Sequence, residues 1–334
     1  MRSLQTTGDA EAVLRNVANP SATENEVLVR PLATGICGTD IDIIDGQIDR
    51  SFVTYPVTIG HEWCGVVVGH GDGVTEPAVG TRVSIEGIIP CGGCAECLKG
   101  TTNRCHTYSE IGFTRPGATA DLVAVPVKQL HILSPKVTIE TACLIEPSAV
   151  VFQGLQKVSP AAGARVLVVG DGTIGLLAAK WIRQWDPAIV DLVGLRESQA
   201  GLAHLAGVDS FATAPSAPEA SYDLIIEASG SPSAISLSLK LLARGGTLLL
   251  LGFPGREVTV PLNVDDLING DNNIVGSFGY THNTWVKTVE LLNSGDIDLS
   301  FVVTHRFPLE QWRDGLEAMR NDVGMRAKVL LKIS

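Results

Sequence analysis

Basic side chains are the scarce ones in this chain: 25 Lys and Arg stand against 36 Asp and Glu, a formal charge of -11. No Lys/Arg cluster breaks that balance locally, which argues against nucleic acid and anionic membrane as partners. No run of about 18 to 20 apolar residues occurs, so no membrane-spanning helix is expected. The opening residues Met1 to Thr7 run into polar sequence with no apolar core for a secretory signal, and the expected location is the cytoplasm. Charged residues make up only 18% against 45% hydrophobic, which excludes a disordered chain. Internal repeats and low-complexity segments are also missing.

The length of 334 residues exceeds what one core usually serves, so two domains are expected. From residue 24 to about 150, short apolar runs such as Val27 to Val29, Gly65 to Gly69, Thr81 to Ile85 and Leu122 to Val125 alternate with glycine-rich turns. That pattern implies a mostly β domain. Beyond it, Arg165 to Val169, Val190 to Val193, Asp223 to Glu227 and Thr247 to Leu251 are near-continuous apolar strands with room for helices between them. Such strands mean a parallel sheet covered on both faces, a doubly wound α/β fold. A helix around Gln311 to Arg320 and a closing strand at Lys328 to Leu331 are expected to return the chain to the first domain, making it discontinuous.

Gly170, Gly172 and Gly175, with Thr173 and Ile174 between the last two, form G-x-G-x-x-G between a strand and a helix. The first glycine permits the tight turn and the second lets backbone approach a pyrophosphate. The third allows close helix packing, and the helix N-terminus offers unpaired N–H donors. The alternative is an ordinary strand-helix turn. At the end of the second strand, an acid would bond the ribose 2′-hydroxyl of NAD. Gly194 stands there, followed by Leu195 and Arg196. A missing carboxylate beside a guanidinium favours NADP(H) over NAD(H), unless Arg196 is merely solvated and Glu197 supplies the acid.

Seven cysteines in this setting read as metal ligands before disulfides. Cys91, Cys94, Cys97 and Cys105 give C-x2-C-x2-C-x7-C in a glycine-rich loop, a spacing that suits one closed, structural tetrahedral zinc. An iron–sulfur cluster or unligated thiols are the rival accounts. A second set is dispersed: Cys37, His61 and Glu146. A catalytic zinc needs three mixed protein ligands and one open position. Taken singly, Cys37 could be a buried small residue, His61 a core imidazole and Glu146 a helix-start carboxylate.

At these residues the sequence resembles the zinc-containing medium-chain dehydrogenase/reductase family of alcohol, polyol and sugar dehydrogenases. The likeness runs through Gly35-Ile36-Cys37-Gly38-Thr39-Asp40, Gly60-His61-Glu62, the four-cysteine loop, Glu146-Pro147, the glycine turn and Thr304 to Leu309. The resemblance implies a GroES-like catalytic domain over 1-150 and 290-334, and a Rossmann domain over 151-289. It implies Cys37, His61 and Glu146 as catalytic-zinc ligands, with Glu62 a carboxylate able to join them. Thr39 would relay the proton and Asp40 would orient His61. Two zinc ions per chain follow, one catalytic and one structural. Glu146, where many simple alcohol dehydrogenases carry cysteine, looks more like the polyol and sugar branch. Trp63-Cys64-Gly65, Ile111 to Arg115 and Glu227 to Gly230 look similar to cyclitol and aminocyclitol dehydrogenases. Asp42 departs from the His or Tyr of many relatives.

The expected reaction is hydride transfer between a secondary alcohol of the polyol, sugar or cyclitol class and NADP(H), interconverting alcohol and ketone. Alternatives are an NAD-dependent simple alcohol or threonine-type dehydrogenase, a zinc-free reductase of the quinone or enone type, and a non-catalytic dinucleotide-binding protein. The resemblance suggests a homodimer or homotetramer.

Overall fold

The computed structural model describes residues 1–215, 220–321 and 323–333. It divides into two units: Met1–Glu146, Tyr280–Asp322 and Lys328–Ser334 in one, Pro147–Gly279 and Val323–Ala327 in the other. The return to the first unit begins at Tyr280, earlier than residue 290, because the helix His282–Asn293 already packs there through Trp285, Val289 and Leu292.

The first unit is built on a seven-stranded sheet whose path runs Leu130–Ile132, Arg82–Ile85, Glu62–His70, Glu26–Ile36, Lys328–Lys332, Val303–Pro308. Val123–Pro126 joins it by pairing with Glu26–Ile36. A second sheet orders Ala12–Asn16, Arg2–Thr6 and Val57–Thr58. The long strand Glu26–Ile36 alternates at its start, with Val27 and Val29 fully buried beside less buried neighbours. That period of two is what a strand with one face on the core requires. Its inward residues join Trp63, Val67, Val83 and Ile85 in one core. Leu4, Ile36, Ile43, Ile44, Val329 and Leu331 join a second core, capped by Trp312 and Leu316 of the helix Trp312–Asn321. The closing strand Lys328–Lys332 pairs antiparallel with Glu26–Ile36, Val329 opposite Ile36.

The second unit is a six-stranded parallel sheet, ordered Ser210–Ala212, Ile189–Val193, Arg165–Val169, Tyr222–Glu227, Leu242–Leu250, Asn273–Gly276. Counted along the chain that is 3-2-1-4-5-6, the Rossmann order. The direction of winding reverses beside Arg165–Val169, and ligands of such sheets bind outside the carboxyl ends of the strands there. Val166, Leu167 and Val168 are buried because helices cover both faces. The fifth strand starts at Leu242 and not at Thr247, running through Gly245 and Gly246 before its apolar stretch. Glycine there hid the strand from a reading of apolar runs. No helix among the described residues is long and apolar enough to cross a membrane.

Candidate active site and dinucleotide cradle

Cys37 caps the short helix Gly38–Ile44, and the third residue of that helix, Asp40, does the positioning. Its Oδ2 accepts the Cys37 N–H at 2.8 Å, and its Oδ1 accepts the Gly60 N–H at 3.1 Å. One buried carboxylate therefore locks two distant segments, Cys37 and Gly60-His61, at a fixed separation. The same Oδ1 lies 3.3 Å from His61 Nδ1. Asp40 and His61 are both buried. Burial works against either charge, yet the pair wins: Asp40 is held below the usual carboxylate range and His61 well above its ordinary value. Phe113 packs against the imidazole with ring centroids 5.3 Å apart.

Donor atoms of Cys37, His61 and Glu62 all lie within 4.8 Å of one another. Thr39 is at the same place, its Oγ1 3.7 Å from Cys37 Sγ. Glu62 is buried and ion-paired with the equally buried Lys328, whose ammonium also bonds Ile36 O at 3.4 Å. Gly35 leaves the space that this carboxylate fills, for a Cβ there would collide with Glu62 Oε2. Glu146, in the first turn of the helix Ile145–Val158, is not among the three residues whose donor atoms meet that 4.8 Å limit. Its carboxyl is pushed up to about 8, first by burial and then by Glu62 and Glu110, with His61 and Lys328 opposing. Glu110 is pushed up to about 7, again chiefly by burial.

This concentration of acids tests whether a cation fits. Four carboxyl groups and a thiol surround one imidazole and one ammonium, and burial above all keeps two of the carboxyls, Glu110 and Glu146, from ionising readily. A divalent cation bound to thiolate, imidazole and carboxylate would offset the cost of burying those charges, and the donor types match zinc. Asp42 stands apart: it is exposed, with Asp45 and Arg320 for neighbours.

The four-cysteine loop is compact. Cys91, Cys94, Cys97 and Cys105 present sulfurs within 4.8 Å of one another, with Cys94 and Cys97 at 3.5 Å and Cys91 and Cys97 at 3.9 Å. Sulfurs about 2.3 Å from a common zinc would stand roughly 3.8 Å apart in a tetrahedron. A backbone N–H from Gly93, followed by Thr107, brings the Cys91 thiol down to about 6, while burial and then Cys94 push Cys97 up to about 12, so the four sulfurs do not all ionise without a cation among them.

In the second unit, the turn after Arg165–Val169 has the form a pyrophosphate needs. Gly170 takes φ +118, and a Cβ on Gly175 would collide with Gly170 O. A Cβ on Gly172 would meet nothing within 4 Å, so the surface over it is open to a ligand. Gly172 caps the helix Thr173–Ile182 with no side-chain bond, leaving its first N–H groups to an anion. Thr173 and Ile174 lie half-buried on this turn.

Asp171, between the first two glycines of the turn, organises the neighbouring strand end. Its carboxylate accepts the Leu195 and Arg196 N–H groups at 2.9 and 3.0 Å, and Arg196 Nη2 at 2.7 Å. Gly194 is glycine because any Cβ would strike that carboxylate. The Arg196 guanidinium is thereby held in place, yet its Nη1 is buried without a hydrogen-bond partner. Glu197 is exposed at the start of a 3-10 turn. Only an alternating pattern at this loop could have signalled Asp171, and a single polar residue between glycines gives none.

These two units and their sites define a zinc-type alcohol oxidoreductase on a GroES-like and Rossmann frame. Residues 23–135 match the alcohol dehydrogenase GroES-like domain, and 174–294 match the zinc-binding dehydrogenase domain. An L-threonine 3-dehydrogenase of Bacillus subtilis (strain 168) is 33% identical over 333 residues, covering 96% of this chain and 94% of its own. One from Idiomarina loihiensis is 31% identical, covering 95% of each. Among solved structures, a protein of Sinorhizobium meliloti 1021 bound to NADP and described as a zinc-binding dehydrogenase superposes with a TM-score of 0.91 at 27% identity, covering 99% of each chain. Galactitol-1-phosphate dehydrogenase from Escherichia coli superposes with 0.88 at 25%, covering 100% of both. The chain belongs to the zinc-containing medium-chain dehydrogenase/reductase family and is a dehydrogenase acting on alcohols with a nicotinamide dinucleotide.

Proposed function

We propose that the chain interconverts a secondary alcohol of the polyol, sugar or cyclitol class and its ketone, with NADP(H) as the favoured dinucleotide. The observation that carries the chemistry is the convergence of Cys37, His61 and a carboxylate, pinned by one buried Asp40. Cys37, His61 and Glu146 are the residues to hold a catalytic zinc, with Glu62 the neighbouring carboxylate able to join them. Cys91, Cys94, Cys97 and Cys105 are those to hold a structural one. Bound at Cys37, zinc supplies Lewis acidity that favours loss of the alcohol proton near neutral pH. Thr39, beside Cys37, accepts that proton from the substrate hydroxyl and passes it outward. Asp40 holds His61 in one orientation throughout. Lys328 holds the Glu62 carboxylate in place through their buried ion pair. Assembly as a homodimer or homotetramer belongs to the same reading, supported by the exposed edge strand Asn273–Gly276.

The NADP(H) preference is supported by Arg196, whose Nη1 lacks a partner that a 2′-phosphate would supply. A hydrogen bond to a charged group contributes about 1.5–3 kcal/mol. Arg196→Ala is therefore expected to raise KM for NADP by roughly 10- to 100-fold while leaving KM for NAD nearly unchanged. Equal loss with both dinucleotides would remove the argument.

A second reading, an NAD-dependent threonine-type dehydrogenase, is favoured by the relatives at 31% and 33% identity. The two are separated by a screen of polyols, sugars, cyclitols, L-threonine and the matching ketones, run with each dinucleotide and followed by absorbance of the reduced ring. Polyol-class turnover with NADP supports the first reading. L-Threonine oxidised with NAD in preference to all others replaces it with the second.

A further inference from the structure

Glu86, His131 and His282 are used by none of the chemistry above. Glu86 follows directly on the strand Arg82–Ile85, and its N–H bonds Gln129 O at 2.9 Å. The neighbouring strand Leu130–Ile132 places His131 opposite Ser84. His282 opens the helix His282–Asn293, and its backbone N–H is tied to Thr102 Oγ1 at 2.9 Å. Three segments far apart in sequence deliver these side chains to one spot, each anchored through its backbone.

His282 Nδ1 lies 2.8 Å from Glu86 Oε2, and His131 Nε2 lies 3.6 Å from the same oxygen. One donor atom from each residue falls within 4.8 Å of the other two. Glu86 is fully buried. Two atoms of the trio, Glu86 Oε1 and His131 Nε2, are buried with no hydrogen-bond partner. The His131 ring is set by packing: its centroid is 6.0 Å from that of Trp285, which stands 4.9 Å from Tyr280. Tyr280 in turn accepts the Gly87 N–H at 3.1 Å. His282 remains 46% exposed and leaves an approach from solvent.

A hydrogen-bonded trio alone would bury a carboxylate oxygen and an imidazole nitrogen unsatisfied, which folded proteins rarely tolerate. A single cation satisfies both. We propose that Glu86, His131 and His282 form a metal site of their own, for a divalent transition ion of the zinc class. Two imidazole nitrogens and one carboxylate oxygen are a zinc donor set, and the absence of thiolate separates this site from the cysteine-bearing ones. A fourth position faces the exposed side of His282 and takes water. The ion ties the start of the helix to the sheet.

The test is a Zn²⁺ titration of the holoprotein, dialysed free of loose metal and followed by calorimetry, beside His282→Gln and Glu86→Gln. Wild type is expected to take up one equivalent per chain more than either variant, with the far-UV circular dichroism of His282→Gln unchanged. Co²⁺ gives a second readout: a visible band lacking sulfur-to-metal charge transfer, lost in His282→Gln. Equal uptake by wild type and His282→Gln overturns the proposal, since metal held elsewhere on the surface would survive that change. Should Glu86→Gln unfold, His282→Gln at the half-exposed helix start decides alone.

Discussion

Cys37→Ser is expected to lower kcat/KM by about three powers of ten and to remove one zinc per chain, with little change in melting temperature. The size follows from the chemistry assigned to the site. Lewis-acid stabilisation of a developing oxyanion is worth several kcal/mol, and each 1.4 kcal/mol is roughly tenfold in rate. The variant keeps its shape because the helix Gly38–Ile44 is fixed by Asp40, which bonds the Cys37 backbone N–H and not its sulfur. Activity assays with metal analysis on the same sample check both halves. A variant within tenfold of wild type that still lacked the zinc would defeat the catalytic assignment.

Cys94→Ser should act on stability. Most of the segment from Cys91 to Cys105 has no core of its own: only Asn103 and Cys105 are buried, and Leu98 is 78% exposed. Its order then rests on the four sulfurs and whatever they hold. Structural zinc carries roughly 10–16 kcal/mol of binding free energy in small domains, of which a loop in a larger protein recovers a part. Even about 4 kcal/mol at some 2–4 °C per kcal/mol gives a fall of roughly 10 °C. Loss of one zinc, a lower melting temperature and proteolytic nicking within this loop are the expected results, measured by metal analysis, calorimetry and limited digestion. A melting temperature equal to wild type after the zinc is gone would show the loop folds unaided.

The two experiments weigh different kinds of sequence signal. The four cysteines fall within one short loop, so their spacing constrains where the sulfurs can lie, and the cluster was legible residue by residue. The glycine turn was legible for the same reason, since its roles are properties of adjacent backbone. Cys37, His61 and Glu62 lie on segments that only a resemblance linked, and their meeting depends on pairing between the strands Glu26–Ile36 and Glu62–His70. Glu146 is of the same kind: residue type and resemblance suggest it as a ligand, and only the placement of the helix Ile145–Val158 sets its distance from Cys37 and His61.

Lys328 and Asp171 could not be read from the chain at all. Lys328 looks like the first residue of an edge strand, and becomes a buried counter-ion to Glu62 only because the chain's end inserts beside Glu26–Ile36. Asp171 looks like a spacer, and becomes the anchor of Arg196 only because the strand Ile189–Val193 lies parallel to Arg165–Val169. The trio Glu86, His131 and His282 is of the same kind.

Local order along the chain thus determined the sulfur loop, the phosphate turn, the change from a mostly β to an α/β rhythm and the candidate ligand types. Those depend on neighbours within a few residues, where peptide geometry limits what spacing can mean. Charge partners and cross-chain contacts were decided by the tertiary structure, because strand register brings together side chains whose separation in sequence carries no distance information.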